Sequence, residues 1–143
     1  MYYQNSTYFD TDDPVIKVWT GYDACSHTAD AVAYVRKQAA TDKPFFLTLS
    51  LGPPHFPHNN APAEYHRTFT PEAVTFSPNV QFDDPGFEKF NRREAAGYYA
   101  HITAMDRCVG DVTKALEAYD LANNTILIFA SDHGEMMGSH CLR

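Results

Sequence analysis

The chain has 143 residues, 44% hydrophobic and 14% aromatic, with a formal charge of −7. That is enough apolar material for one domain with a modest core. Eleven Lys and Arg against eighteen Asp and Glu exclude a non-specific nucleic-acid binder, which needs clustered cations to neutralise phosphate, and no run of about 18 apolar residues offers a membrane segment.

The segment through Tyr22 is polar and reads as irregular. Thr28 as N-cap, with Asp30 in the first turn where negative charge suits the helix dipole, predicts a helix to about Ala40 that Asp42-Lys43-Pro44 ends. Phe45 to Leu51 is a mostly apolar run between Pro44 and Gly52-Pro53-Pro54, the pattern of a buried strand in a parallel sheet. Gly52 to Asn91 holds seven of the nine prolines, the composition of a site-forming loop region.

A long helix is predicted from about Arg92 to Tyr119. Tyr98, Ile102, Met105, Val109, Val112 and Leu116 recur at alternating four and three spacing, a stripe expected to pack on the sheet. Gly97 and Gly110 each cost roughly 1 kcal/mol relative to Ala, so both are expected at close helix contacts. Asp120 to Asn124 makes a turn, and Thr125 to Ala130 is a second apolar strand ending in Ser131-Asp132-His133-Gly134. Strand, long crossover and strand give an α/β class with a parallel βαβ arrangement, in which ligands gather beyond the carboxyl ends of the strands.

Asp132 and His133 offer a carboxylate oxygen and an imidazole nitrogen at such a strand end, half of a metal site. Carboxylate favours a hard cation such as calcium or magnesium, while imidazole also suits manganese or zinc, so the pair alone does not name the metal. The ordinary alternative is a capped turn and a surface histidine. His55 follows Gly52-Pro53-Pro54, whose restricted backbone can hold an imidazole in one direction, against the ordinary reading of a loop histidine. His58 and His66 read as polar loop residues, His140 as a last-turn residue, and Asp106, Arg107 and Asp111 as a solvated helix face. Cys25, Cys108 and Cys141 are too few and too scattered for a disulfide framework, and nothing adjacent activates any of them as a nucleophile. The chain has no Gly-x-Ser-x-Gly elbow, Walker loop or dinucleotide fingerprint.

Together, Lys43-Pro44-Phe45-Phe46-Leu47, Pro54-His55, the Tyr98-to-Tyr119 helix with Met105-Asp106, and the stretch from Ser131 to His140 resemble the sulfatase family of the alkaline-phosphatase-like superfamily. The resemblance is clearest over residues 22–143. It implies that residues 1–143 are part of a catalytic domain with a mainly parallel β-sheet flanked by helices. It also implies a sulfuric ester hydrolase acting on a sulfated small molecule or glycan. Asp132 and His133 would be two ligands of a divalent cation, usually calcium, and His55 would be the catalytic and substrate-binding histidine at the sulfate group. The family nucleophile is a formylglycine made from Cys or Ser in a Cys/Ser-x-Pro-x-Arg motif. That motif is absent here: Cys25 is followed by Ser26, His27, Thr28 and Ala29, and Arg143 stands where Cys141 would need Pro. The nucleophile and the early aspartate ligands are therefore expected in a missing N-terminal part, with this piece inactive alone. Relatives are often periplasmic, secreted or lysosomal, but the compartment stays open. A phosphodiesterase or phosphonate monoester hydrolase of the same superfamily, and a non-catalytic module that binds sulfated glycans, are the competing readings.

Overall fold

The computed structural model describes residues 7–9 and 16–140. Its first element corrects the expectation of an irregular start: β1 (Thr7–Phe9) pairs antiparallel with β2 (Ile16–Val18), Thr7 opposite Val18 and Phe9 opposite Ile16. Strands of three residues are too short to show an alternating pattern. Cys141 and Arg143 lie outside the described residues.

Helix α1 (Asp23–Gln38) begins five residues before Thr28. Thr28 is no cap. It sits buried in the second turn, and its hydroxyl donates to the Ala24 carbonyl at 2.7 Å, the back-bonding open to Thr inside a helix. Asp30 instead accepts from the Trp19 indole at 3.1 Å, and Asp23 is the acid of the first turn. Ala24, Thr28, Ala31 and Val35 form the buried stripe, and Arg36 and Lys37 occupy the last turn, where cations suit the helix dipole.

Helix α2 (Ala63–His66) is a single turn within the proline-rich region, flanked by 3-10 turns at His58–Asn60 and Pro71–Ala73. Helix α3 runs from Pro85 to Ala118, seven residues earlier at its start than the apolar stripe indicates. The start signal is local: Asp84 Oδ1 accepts from the Gly86 and Phe87 amides at 2.6 and 2.9 Å, and Pro85 occupies the first helical position, where its missing N–H costs nothing. The buried face also differs from expectation. Ala95, Ala96, Ala100, His101, Ala104, Cys108, Ala115 and Leu116 are buried, whereas Ile102 is exposed and Tyr98, Met105, Val109 and Val112 are half-buried. Small residues are buried where neighbours come close, so they displaced the bulkier stripe as the inner face.

The chain divides into two compact units, and α3 contributes to both: residues 1–53 with 104–127, and residues 54–103 with 128–143. In the first unit Val35, Ala115 and Leu116 make a core, with Val32, Phe45, Leu47 and Leu121 against it. Phe45, Leu47, Leu49 and Leu51 alternate in burial with exposed Phe46, Thr48 and Ser50, the period of an extended strand. Neither this segment nor residues 125–130 joins a ladder among the described residues, where the sole sheet is the β1–β2 ribbon, so the expected parallel pairing is not formed.

In the second unit the core is Val74, Ala95 and Ala96, with Phe69, Phe76 and Met137 against it. Rings of Phe76, Phe82 and Phe87 meet edge-on in sequence at 5.1 and 5.9 Å. Arg92 ties loop to helix: it donates to the Val74 carbonyl at 2.7 Å and to Glu88 at 2.8 Å, and lies 5.4 Å from the Phe76 ring centre.

Candidate active site

All three residues singled out by the sequence lie in the second unit, on two loop segments. Asp132 and His133 are exposed, at 92% and 65%, and adjoin with Asp132 Oδ2 3.9 Å from His133 Nε2. Asp132 Oδ1 accepts the His133 amide at 3.0 Å, which turns the carboxylate back along the chain and leaves Oδ2 outward. His133 Nδ1 lies 3.1 Å from the Gly134 carbonyl; a carbonyl only accepts, so Nδ1 carries the proton and Nε2 keeps its lone pair for a ligand. That same carbonyl and the Asp132 charge raise the His133 pKa above the ordinary histidine value. The Ser131 hydroxyl donates to the His133 carbonyl and closes the loop.

Downstream, this segment is fixed by apolar contact. Met137 packs on the Val74, Ala95 and Ala96 cluster, and Ser139 bridges Val80 in antiparallel sense. Gly138 has φ +93, a backbone conformation that favours glycine, and an added Cβ would make a tight 3.1 Å contact with the Val80 side chain. His140 is exposed with φ +55, and among the described residues no hydrogen bond or ion pair joins it to Asp132 or His133. The negative charge of Glu135, together with burial, pushes the Tyr98 hydroxyl pKa upward, burial being the larger cause.

His55 is exposed, and its Nδ1 donates to the Phe56 carbonyl at 2.7 Å, so it too presents Nε2 outward. Among the described residues no hydrogen bond or ion pair joins His55 to Asp132 or His133. Two further histidines are buried: His58, which the sequence reads as a polar loop residue, and His101. His58, 6% exposed, lies with Nδ1 2.8 Å from Glu94 Oε2. His101 is fully buried on α3, hydrogen-bonds the Pro57 carbonyl, and has its pKa lowered to about 4, first by burial and then by neighbouring His58. The signal for both is the partner set on α3, where Glu94, Gly97, Tyr98 and His101 share one helix face.

The donor set of Asp132 and His133, one carboxylate and one imidazole with an outward lone pair, fits a hard or borderline divalent cation. No group of three His, Cys, Asp or Glu able to hold a metal ion exists among the described residues, so the pair amounts to part of a shell.

Comparison with known proteins places the chain in a family. The sulfatase family profile matches residues 1–143, and the chain belongs to the sulfatase family. An ulvan-active sulfatase of Formosa agariphila is 43% identical over 141 residues, covering 99% of this chain and 27% of that protein. An endo-4-O-sulfatase of Bacteroides thetaiotaomicron is 31% identical, covering 96% and 28%. The crystal structure of yidJ from Bacteroides fragilis, provisionally described as a sulfatase, superposes with a TM-score of 0.89 at 28% identity over 99% of this chain and 32% of its own. The chain thus has the fold of the corresponding part of a sulfatase and spans about a third or less of these relatives' length.

Proposed function

We propose that this chain serves sulfate ester hydrolysis in a protein of its relatives' full length, acting on a sulfated small molecule or glycan. The observation that carries the reading is the Asp132–His133 pair, its two donor atoms turned outward by local hydrogen bonds, within a chain of the sulfatase family. When bound, a divalent cation, calcium by the family pattern, supplies positive charge to the non-bridging sulfate oxygens, and formylglycine from beyond the present residues supplies the nucleophile. Asp132 and His133 would hold their share of that cation. His55, with Nδ1 committed to the Phe56 carbonyl, presents Nε2 to an ester or sulfate oxygen.

The same reading makes residues 45–51 and 125–130 strands of a mainly parallel sheet whose other strands lie elsewhere in the full-length protein. Phe46 and Ile126 are 90% exposed, Ile128 83% and Phe129 72%, apolar surface of the kind a sheet and its helices cover. The 143 residues contain no Cys/Ser-x-Pro-x-Arg motif, so no turnover is expected of them alone.

The test is turnover of 4-nitrophenyl sulfate by the full-length protein with calcium, beside calorimetric calcium titration of wild type and Asp132→Ala. Sulfate release that Asp132→Ala abolishes, together with lost calcium affinity, is the expected result. Faster cleavage of a phosphate diester or phosphonate ester than of any sulfate ester, or unchanged calcium affinity in Asp132→Ala, would overturn the proposal. Saturable binding of a sulfated glycan without turnover would assign the chain to a binding module.

A further inference from the structure

The orientation of His55 depends on backbone that α3 grips from one side. The His55 ring donates to the Phe56 carbonyl, so the peptide following Phe56 sets where Nε2 points. Immediately beyond it, His101 takes the Pro57 carbonyl, the His58 ring meets Glu94 at 2.8 Å, and Gly97 lies so close to His58 that an added Cβ would fall 2.1 Å from its carbonyl oxygen. The His58 ring is also held edge-on between Phe56 at 5.7 Å and Tyr98 at 5.6 Å. Glu94, Gly97, Tyr98 and His101 stand at i, i+3, i+4 and i+7 on α3, a continuous face against three successive loop residues.

We propose that His58 and Glu94, with His101 on the Pro57 carbonyl, are positioning residues that clamp the Phe56–His58 backbone to α3 and thereby aim the His55 imidazole. This rests on the reading of His55 as the histidine that acts at the sulfate. The chemistry favours a clamp over filler. A histidine and a carboxylate taken largely out of water lose hydration that only their mutual hydrogen bond replaces, so the pair fixes one geometry and tolerates few others. The His58 ring also keeps its other nitrogen, Nε2, buried with no partner among the described residues, a cost retained beside the Glu94 contact.

The experiment compares Glu94→Ala, Glu94→Gln and Glu94→Asp in the full-length protein. It measures kcat and KM on 4-nitrophenyl sulfate and the nitrogen-15 imidazole spectrum of His55. Gln retains an acceptor for His58 Nδ1–H, whereas Ala removes it and Asp withdraws it by one methylene. Misplacing a reacting group by an ångström costs about 100-fold. The expected result is a kcat about 10- to 100-fold lower in Glu94→Ala with KM within about threefold. The same variant shifts the His55 spectrum away from the Nδ1–H tautomer, and Glu94→Gln restores both readouts. If Glu94→Ala does not fold, a lower kcat in Glu94→Asp with unchanged KM supports the clamp. Unchanged kcat and an unchanged His55 spectrum in folded Glu94→Ala or Glu94→Asp would overturn it. If the wild type hydrolyses no sulfate ester, the functional reading fails, yet the His55 spectrum still decides for or against the clamp.

Discussion

Gly97→Ala and Gly110→Ala are the same substitution in the same helix, and the structure gives them opposite signs. Each removes the helix penalty of glycine, roughly 1 kcal/mol in favour of the variant. At Gly110 nothing lies within 4 Å of the added methyl, so that gain stands alone. At Gly97 the methyl would fall 2.1 Å from the His58 carbonyl oxygen, 2.7 Å from its carbonyl carbon and 2.8 Å from its Cβ, where ordinary contact begins at 3.4 Å. Two of the three atoms are backbone, and their residue is tied to Glu94, so no flexible side-chain end can yield. Overpacking costs of about 1–3 kcal/mol apply at their upper end, leaving a net loss of about 2 kcal/mol after the propensity gain. For a chain of this size that lowers the melting temperature by roughly 5 °C, while Gly110→Ala raises it by a few degrees. Thermal melts and urea titrations of both variants beside wild type give the measurement. A neutral or stabilised Gly97→Ala would refute the close approach of α3 to His58.

Two other predictions concern stability. His101 has its pKa lowered to about 4 against 6.5 for a free histidine, so the unfolded chain binds the extra proton first as pH falls. Its contribution is fully present above about pH 6.5 and is lost as pH drops towards 4, on the order of 3 kcal/mol. Urea midpoints from pH 7 to 4 should fall more steeply for wild type than for His101→Gln, and parallel slopes would reject the burial argument. Asp84→Ala should cost about 1 kcal/mol by freeing the Gly86 and Phe87 amides, and Asp84→Asn should recover most of it; equal melting temperatures in all three would remove Asp84 as the cap.

Much of the local order was legible in the residues because it is local. The proline boundaries placed the extended run at 45–51, and alternate burial there follows the sequence pattern. The long helix was legible from its period, and its missed start at Asp84-Pro85 was also written in the chain, as an N-cap followed by proline at the first helical position. What escaped depends on partners far along the sequence. His58 reads as a loop histidine because its burial is decided by Glu94, thirty-six residues on. The inner face of α3 reads wrongly from size alone, since the large apolar residues at 98, 102, 105, 109 and 112 lose to alanines where neighbours approach closely. Ladder pairing of 45–51 and 125–130 lies beyond a pattern of this kind, which records that a strand wants covering but not by what.

The candidate site combines exposed donor atoms with buried support, and one stretch of α3 supplies both kinds of support. Asp132, His133 and His55 are all exposed, so burial does not hold their orientation. Each is set instead by a bond to the adjacent main chain, and the main chain is set by α3. On the Asp132 side the anchor is apolar, Met137 on Ala95 and Ala96 with glycine favoured at 138; on the His55 side it is polar, Glu94 and His101 on His58 and Pro57. Alanine and glycine at 95, 96 and 97 are therefore part of the site's construction, because only small side chains let two loops approach a helix over less than two turns. An exposed imidazole on a free loop would sample many directions. One whose neighbouring peptides are held by the His58–Glu94 hydrogen bond and the Gly97 contact samples few, and that restriction is what the role proposed for His55 at a bound ester requires.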